Sequence, residues 1–137
     1  MVRINLIDPK QLSDQHLIAE YREILLLFGT YKNKLNKKME PSDDNLMNPF
    51  RFFYNKLLYL KRRHTALREE MIVRGFKPTK FVDLNDYPWH RINDFEPEKI
   101  HKDRIIKRIT QRVNEKPNWY RYYGEYKTPE FFEEMMK

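Results

Sequence analysis

The stretch Ser13-Asp14-Gln15-His16-Leu17-Ile18-Ala19-Glu20-Tyr21-Arg22-Glu23-Ile24-Leu25-Leu26-Leu27-Phe28-Gly29-Thr30-Tyr31 decides the fold. Its apolar positions Leu17, Tyr21, Ile24, Phe28 and Tyr31, continued by Leu35, advance in steps of four and three. That is the stripe of a helix with one buried face. Ser13 is placed to cap a helix expected from about Asp14 to Lys37, and Gly29 weakens it without ending it. The same spacing returns twice. Asn48-Pro49, a capping residue before a proline at the first helical position, opens a second helix. It carries Phe53, Leu57, Leu60, Leu67 and Met71 and stops at Arg74-Gly75, a glycine terminator. A third begins at Pro97 and ends before Pro117, with Ile106, Ile109 and Val113 facing inward.

Two irregular stretches lie between these helices. Residues 40–45 form a polar loop, and residues 78–96 show no clear period. The second stretch holds Phe81, Tyr87, Trp89 and Phe95, so it is expected to be ordered and packed on the helices. The expectation is an all-α fold: a compact single domain over residues 1–137, with three main helices and long ordered loops. Residues 125–137 form an acidic, aromatic extension that is expected to pack on the core; the alternative is that it occupies the basic groove.

Composition narrows the function. A chain of 137 residues supports one core. No apolar run approaches the roughly 20 residues that span a bilayer, so no membrane association is expected. Met1-Val2-Arg3-Ile4-Asn5 lacks an apolar signal region. With no cysteine there is no disulfide, thiolate nucleophile or Cys-bound metal, and a cytoplasmic, intracellular protein is the simplest reading.

The net charge of +7 is unevenly divided. Residues 49–80 carry nine Lys/Arg against two acids, and residues 99–127 carry nine against three. Residues 81–98 reverse the balance, with one against five. Two basic segments suit a face that meets a polyanion, although basic helices also occur as plain solvated surface. Arg104, Arg108 and Arg112 fall at i, i+4 and i+8, one row of guanidinium groups able to follow a phosphate backbone. Trp119-Tyr120-Arg121-Tyr122-Tyr123-Gly124 follows directly, and aromatic rings interleaved with a cation suit bases and phosphates. One or two of those rings are expected to be core.

His16, Glu20 and Glu23 share a helix face at i, i+4 and i+7. As an exposed set they are more often solvated or paired than metal-bound, and a glutamate among arginines suits proton transfer or stabilisation of a cationic sugar. No metal is expected. His64 falls within the apolar register of the second helix and reads as a satisfied, half-buried histidine. Phosphate-loop, Ser-His-Asp and zinc-ligand spacings are missing from the sequence.

Four blocks taken together resemble a known family. Met1-Val2-Arg3-Ile4-Asn5-Leu6 with Asp14 through Glu23 is similar to the amino-terminal signature of the phage endonuclease V type of pyrimidine-dimer DNA glycosylase/AP lyase. Phe52-Phe53-Tyr54-Asn55-Lys56-Leu57 and Arg74-Gly75-Phe76 resemble its second helix, and Pro117 through Gly124 resembles its closing aromatic segment. The resemblance implies a mainly helical single domain and a cofactor-free enzyme. Its partner would be double-stranded DNA containing pyrimidine dimers or abasic sites, bound by a monomer, sharply kinked, with a base opposite the lesion turned out.

The resemblance further implies that Met1 is removed and that the α-amino group of Val2 attacks C1′ to form an imine, with strand cleavage following by β-elimination. It puts the catalytic carboxylate at Glu23 and lesion-binding groups at Arg3 and Arg22; Gln15 is a further candidate for contact with DNA or the lesion. Phosphate contacts fall at Arg108 and Arg112, and the closing segment contributes Trp119, Tyr120 and Arg121. Two positions depart from the pattern: Leu26 stands where an arginine is common, and Val2 where threonine is more frequent. A non-catalytic DNA-binding protein on the same scaffold, or a glycosylase for another lesion, is the alternative.

Overall fold

The computed structural model describes residues 4–33 and 48–137. Val2, Arg3, Leu35, Lys37 and the polar loop 40–45 lie outside the described residues. Helix α1 (Asp14–Asn33) starts where the Ser13 Oγ accepts the His16 backbone N–H at 3.1 Å. Leu17, Tyr21, Ile24, Phe28 and Tyr31 are buried as the spacing requires, and Leu27 joins them.

The expected second helix is broken in two. Helix α2 (Pro49–Phe52), capped by the Asn48 side chain, passes through a 3₁₀ turn at Phe53–Asn55 before α3 (Leu57–Val73). The break has a local cause. Lys56 folds its ammonium back to donate to the Phe52 carbonyl at 2.9 Å, the acceptor its own backbone N–H would use in an unbroken helix. That N–H goes to Phe53 instead, and the ammonium sits 4.1 Å from the centre of the Phe52 ring. At the other end α3 stops where expected. Gly75 adopts φ +91°, and the Phe76 and Gly75 amides return to Met71 and Ile72.

Helix α4 (Lys99–Glu115) begins two residues after Pro97, because Glu98 and His101 cap it reciprocally. Its buried row is Ile105, Ile109 and Val113, so the inward register starts at Ile105, and Ile106 is only half-buried. A short hairpin follows, β1 (Arg121–Tyr122) and β2 (Glu125–Tyr126), with Tyr123 and Gly124 both at positive φ in the turn. Helix α5 (Pro129–Met135) then buries Phe132, with Met136 just beyond it. The acidic extension therefore packs on the core; Asn114 of α4 donates to the Glu133 carboxylate at 2.8 Å.

The mainly helical fold expected from the sequence is the one observed. Residues 78–96 are anchored as expected: Tyr87 donates to the Phe28 carbonyl at 2.8 Å, and the Tyr21 hydroxyl accepts the Lys80 N–H at 2.9 Å. Arg91 is buried against Tyr54. Phe81 and Trp89 depart from expectation and are exposed. Among the described residues no helix is long and apolar enough to cross a membrane.

Two buried polar clusters tie these elements together. Arg63 donates Nε and Nη2 to the two Glu20 carboxylate oxygens, at 2.6 and 3.0 Å, and Nη1 to the Ile7 carbonyl. Arg74 reaches Glu70 at 2.9 Å and Asp14 at 3.0 Å, and Asp14 also accepts the Tyr123 and Gly124 amides of the hairpin turn. These clusters correct the simple charge reading. Of the nine cations in residues 49–80, Arg63 and Arg74 are paired internally, Arg62 pairs with Asp94, and Arg68 and Lys56 donate to backbone carbonyls. Most of that segment's charge holds the protein together.

Removing one partner of a buried pair strands the other. Arg63→Ala is expected to cost about 3–5 kcal/mol in a denaturant titration. Lys32→Ala breaks a pair exposed on both sides and is expected to cost less than about 1 kcal/mol.

His64 is fully buried rather than half-buried, stacked on Tyr21 at 4.8 Å, and its Nε2 has no hydrogen-bond partner among the described residues. Burial, with Arg68 adding to it, holds its pKa down at about 4. Burial, then Arg108 and Arg112, does the same for His16. The unfolded chain therefore binds more protons than the folded one between about pH 4 and the ordinary 6.5. Stability from the neutral rings is complete above pH 6.5 and falls as pH drops toward 4. The urea midpoint should decline across that window, and less steeply in His16→Gln; an unaltered slope in the variant would remove His16 from the account.

Candidate functional site

Residues seven apart lie nearly one above another on a helix, so α1 presents two adjacent rows to the side that α3 leaves uncovered. Gln15 and Arg22 form one row, extended one turn by Leu26. His16 and Glu23 form the other, at the edge of the buried face. Arg22 and Leu26 are exposed, and Glu23 is half-buried. Burial raises the Glu23 carboxyl above the usual carboxylate pKa.

The closing segment is brought against the start of α1 by paired contacts. The Gln15 amide donates to the Trp119 carbonyl at 2.8 Å and accepts the Arg121 N–H at 2.9 Å. The Tyr120 ring lies flat on His16, centroids 4.8 Å apart and 7° from parallel. The Ser13 hydroxyl pairs with His16 Nδ1 at 2.8 Å. Two expectations change here. Tyr120 is buried, so its ring is committed to protein packing rather than offered to a base. Both ends of the Gln15 amide are engaged within the protein, which makes it a staple between α1 and the hairpin.

Arg108 and Arg112 of α4 lie close enough to His16, at the start of α1, to help lower its pKa. Arg104 and Arg112 are exposed and Arg108 is half-buried; Arg112 lies 3.5 Å from Glu115. Trp119 is half exposed beneath the Lys116 ammonium, and Arg121 is exposed above the Tyr126 ring. The structure thus gathers Gln15, Arg108, Arg112, Trp119, Tyr120 and Arg121 around one end of α1, with Arg22 and Glu23 farther along that helix. Eight residues from Gln15 to Glu23 span about 12 Å of helix. Arg3 and Val2 lie outside the described residues.

The set His16, Glu20 and Glu23 is not an open cluster of ligands. Glu20 is completely buried and spent on Arg63, which corrects its reading as an exposed carboxylate. Among the described residues no group of three or more His, Asp or Glu side chains is arranged to hold a metal ion.

The segment before α1 carries a feature without a sequence signal. The Asn5 carbonyl accepts the Ile7 N–H at 2.7 Å, closing a three-residue turn around Leu6 at φ +61°. A leucine there is strained by about 1–3 kcal/mol, and burial of Ile4, Leu6 and Ile7 together with the Arg63 bond to Ile7 holds it in place. Arg63 is the positioning residue that sequence reasoning missed. Its one signal was a cation inside the apolar register between Leu60 and Leu67.

A family model described as pyrimidine dimer DNA glycosylase matches residues 1–84. The matched region holds the strained turn, α1 with Arg22 and Glu23, and α3 with Arg63; α4, the hairpin and α5 lie beyond it. The chain belongs to the pyrimidine dimer DNA glycosylase family.

Proposed function

We propose that this glycosylase is also an AP lyase, acting through an imine formed by its own amino terminus. The observation that carries the reading is Glu23, a half-buried carboxyl held above the usual carboxylate pKa by burial, one residue from Arg22, on a helix whose first turn lies within electrostatic reach of Arg108 and Arg112. Removal of Met1 frees the α-amino group of Val2. An α-amine with pKa near 7.7–8.0 is roughly a tenth neutral at pH 7, against about four in ten thousand for an ordinary lysine. Such a nucleophile needs no deep pocket, which suits work on a duplex. Like charge from Arg3 and Arg22 would lower its pKa further.

The chemistry follows in two stages. The nitrogen lone pair forms a bond to C1′ as the glycosidic bond breaks, and the pyrimidine leaves with that bond's electron pair, taking up a proton. It remains attached to its neighbour through the cyclobutane ring. One proton then passes from nitrogen to O4′ as the C1′–O4′ bond breaks, and the opened sugar carries the protonated imine. Glu23 then removes a proton from C2′, and the electrons expel the 3′ phosphate. Glu23 stabilises the cationic sugar in the first stage and serves as base in the second, for which a carboxyl with raised pKa is better suited than an ordinary one. Arg22 and Arg3 hold the lesion, while Arg108, Arg112 and Arg121 take phosphates and Trp119 offers a ring face. A dimer already weakens stacking, so bending the duplex costs less there than in intact DNA.

Glu23→Gln should bind dimer-containing duplex within about threefold of the parent and lose at least a hundredfold in single-turnover cleavage, the usual scale for a general base. Retention of full cleavage would remove Glu23 from the mechanism. Arg108→Ala and Arg112→Ala should each weaken binding across all sequences and flatten the slope of log affinity against log salt by about one. An unaltered slope would mean that α4 does not touch phosphate.

A further inference from the structure

The row Gln15, Arg22 and Leu26 changes chemical character along its length. Its first part is polar and cationic; its last member is an aliphatic side chain 67% exposed, and the one large hydrophobic exposed on α1 among the described residues. Gly29, one turn on, is exposed, with no atom of the described residues within 4 Å of where a side chain would stand. Three of the exposed rings elsewhere are covered by cations: Phe81 by Arg68 at 3.7 Å, Trp119 by Lys116 and Tyr126 by Arg121. Leu26 has no π face to receive one. It stands one turn from both Arg22 and Glu23, where side chains three and four apart are neighbours at about 5–6 Å.

We propose that Leu26 reads the lesion itself, packing on the saturated, methyl-bearing face of the pyrimidine dimer while Gly29 leaves room for the strand to approach. This rests on the function proposed above and names the substrate feature its site selects. Forming the cyclobutane ring consumes the C5–C6 double bonds, so each base loses its planar π surface and becomes puckered. An aromatic or guanidinium group gains little by stacking there. A branched aliphatic side chain gains dispersion contact and buries methyl groups from water. A cation at this position would instead seek phosphate, which is the same at every lesion and carries no information about it.

The test compares single-turnover rates on three duplexes, carrying a thymine dimer, the same dimer built from uracils, or an abasic site. Leu26 is exposed, so Leu26→Ala leaves the core intact. The alanine variant should lose roughly tenfold in thymine-dimer over abasic selectivity, the scale of a lost apolar contact. Its preference for thymine over uracil dimers should shrink toward one, with the salt slope of binding unaltered. Leu26→Arg should steepen the salt slope by about one without restoring the preference. Equal loss on all three substrates, or no loss on any, overturns the role of Leu26. A parent protein that cleaves none of the three overturns the AP-lyase reading, and this inference falls with it.

Discussion

The guanidinium of Arg63 joins three parts of the chain that are remote in sequence: the amino-terminal segment at Ile7, α1 at Glu20, and its own helix α3. Burying two charges is costly, and the cost is offset here by paired bonds to both carboxylate oxygens plus a backbone acceptor. The consequence is geometric. With Glu20 turned inward, the rotation of α1 is settled, so Glu23 and His16 must stand at the edge and Gln15, Arg22 and Leu26 outside. The same arginine secures Ile7 just after the strained turn at Leu6, and so settles how the amino-terminal segment joins the body of the protein.

The second buried cluster does comparable work for the other half of the site. Asp14, at the first turn of α1, accepts two amides of the hairpin turn while pairing with Arg74. Arg74 is in turn covered by Tyr122 and Tyr123, and the Tyr123 hydroxyl lies 3.0 Å from Glu70. With the Gln15 staple and the His16–Tyr120 stack, this brings Trp119 and Arg121 to the start of α1. Basic residues therefore divide into two kinds. Those of α3 largely build the scaffold, and those of α4 leave their charge near the surface.

The helices were legible because their apolar spacing is a direct projection of burial, and so were the caps at Ser13, Asn48 and Gly75. The break at Lys56 was not, because a lysine competing for a helix carbonyl leaves no trace in periodicity. The hairpin escaped notice for a related reason. Tyr123-Gly124 is a weak turn pair by itself, and its amides are held by Asp14, more than a hundred residues away. Charge counting marked two basic segments, but it does not separate a cation bonded to a carbonyl or a buried carboxylate from one facing solvent. At the site, Glu23 and Arg22 were reached through resemblance, and the rows on α1 then followed from spacing. Tyr120 shows the limit of that route: an aromatic beside arginine reads as a stacking platform until its partner, here His16, is known.

The central chemical claim is that the nitrogen joined to DNA belongs to residue 2. Reduction with borohydride during turnover on dimer-containing duplex, followed by peptide mapping of the adduct by mass spectrometry, tests it most directly. The account predicts a DNA remnant on the amino-terminal peptide, at the α-nitrogen of Val2, with Met1 absent. A remnant on a lysine, or efficient cleavage with no reducible adduct, would contradict it.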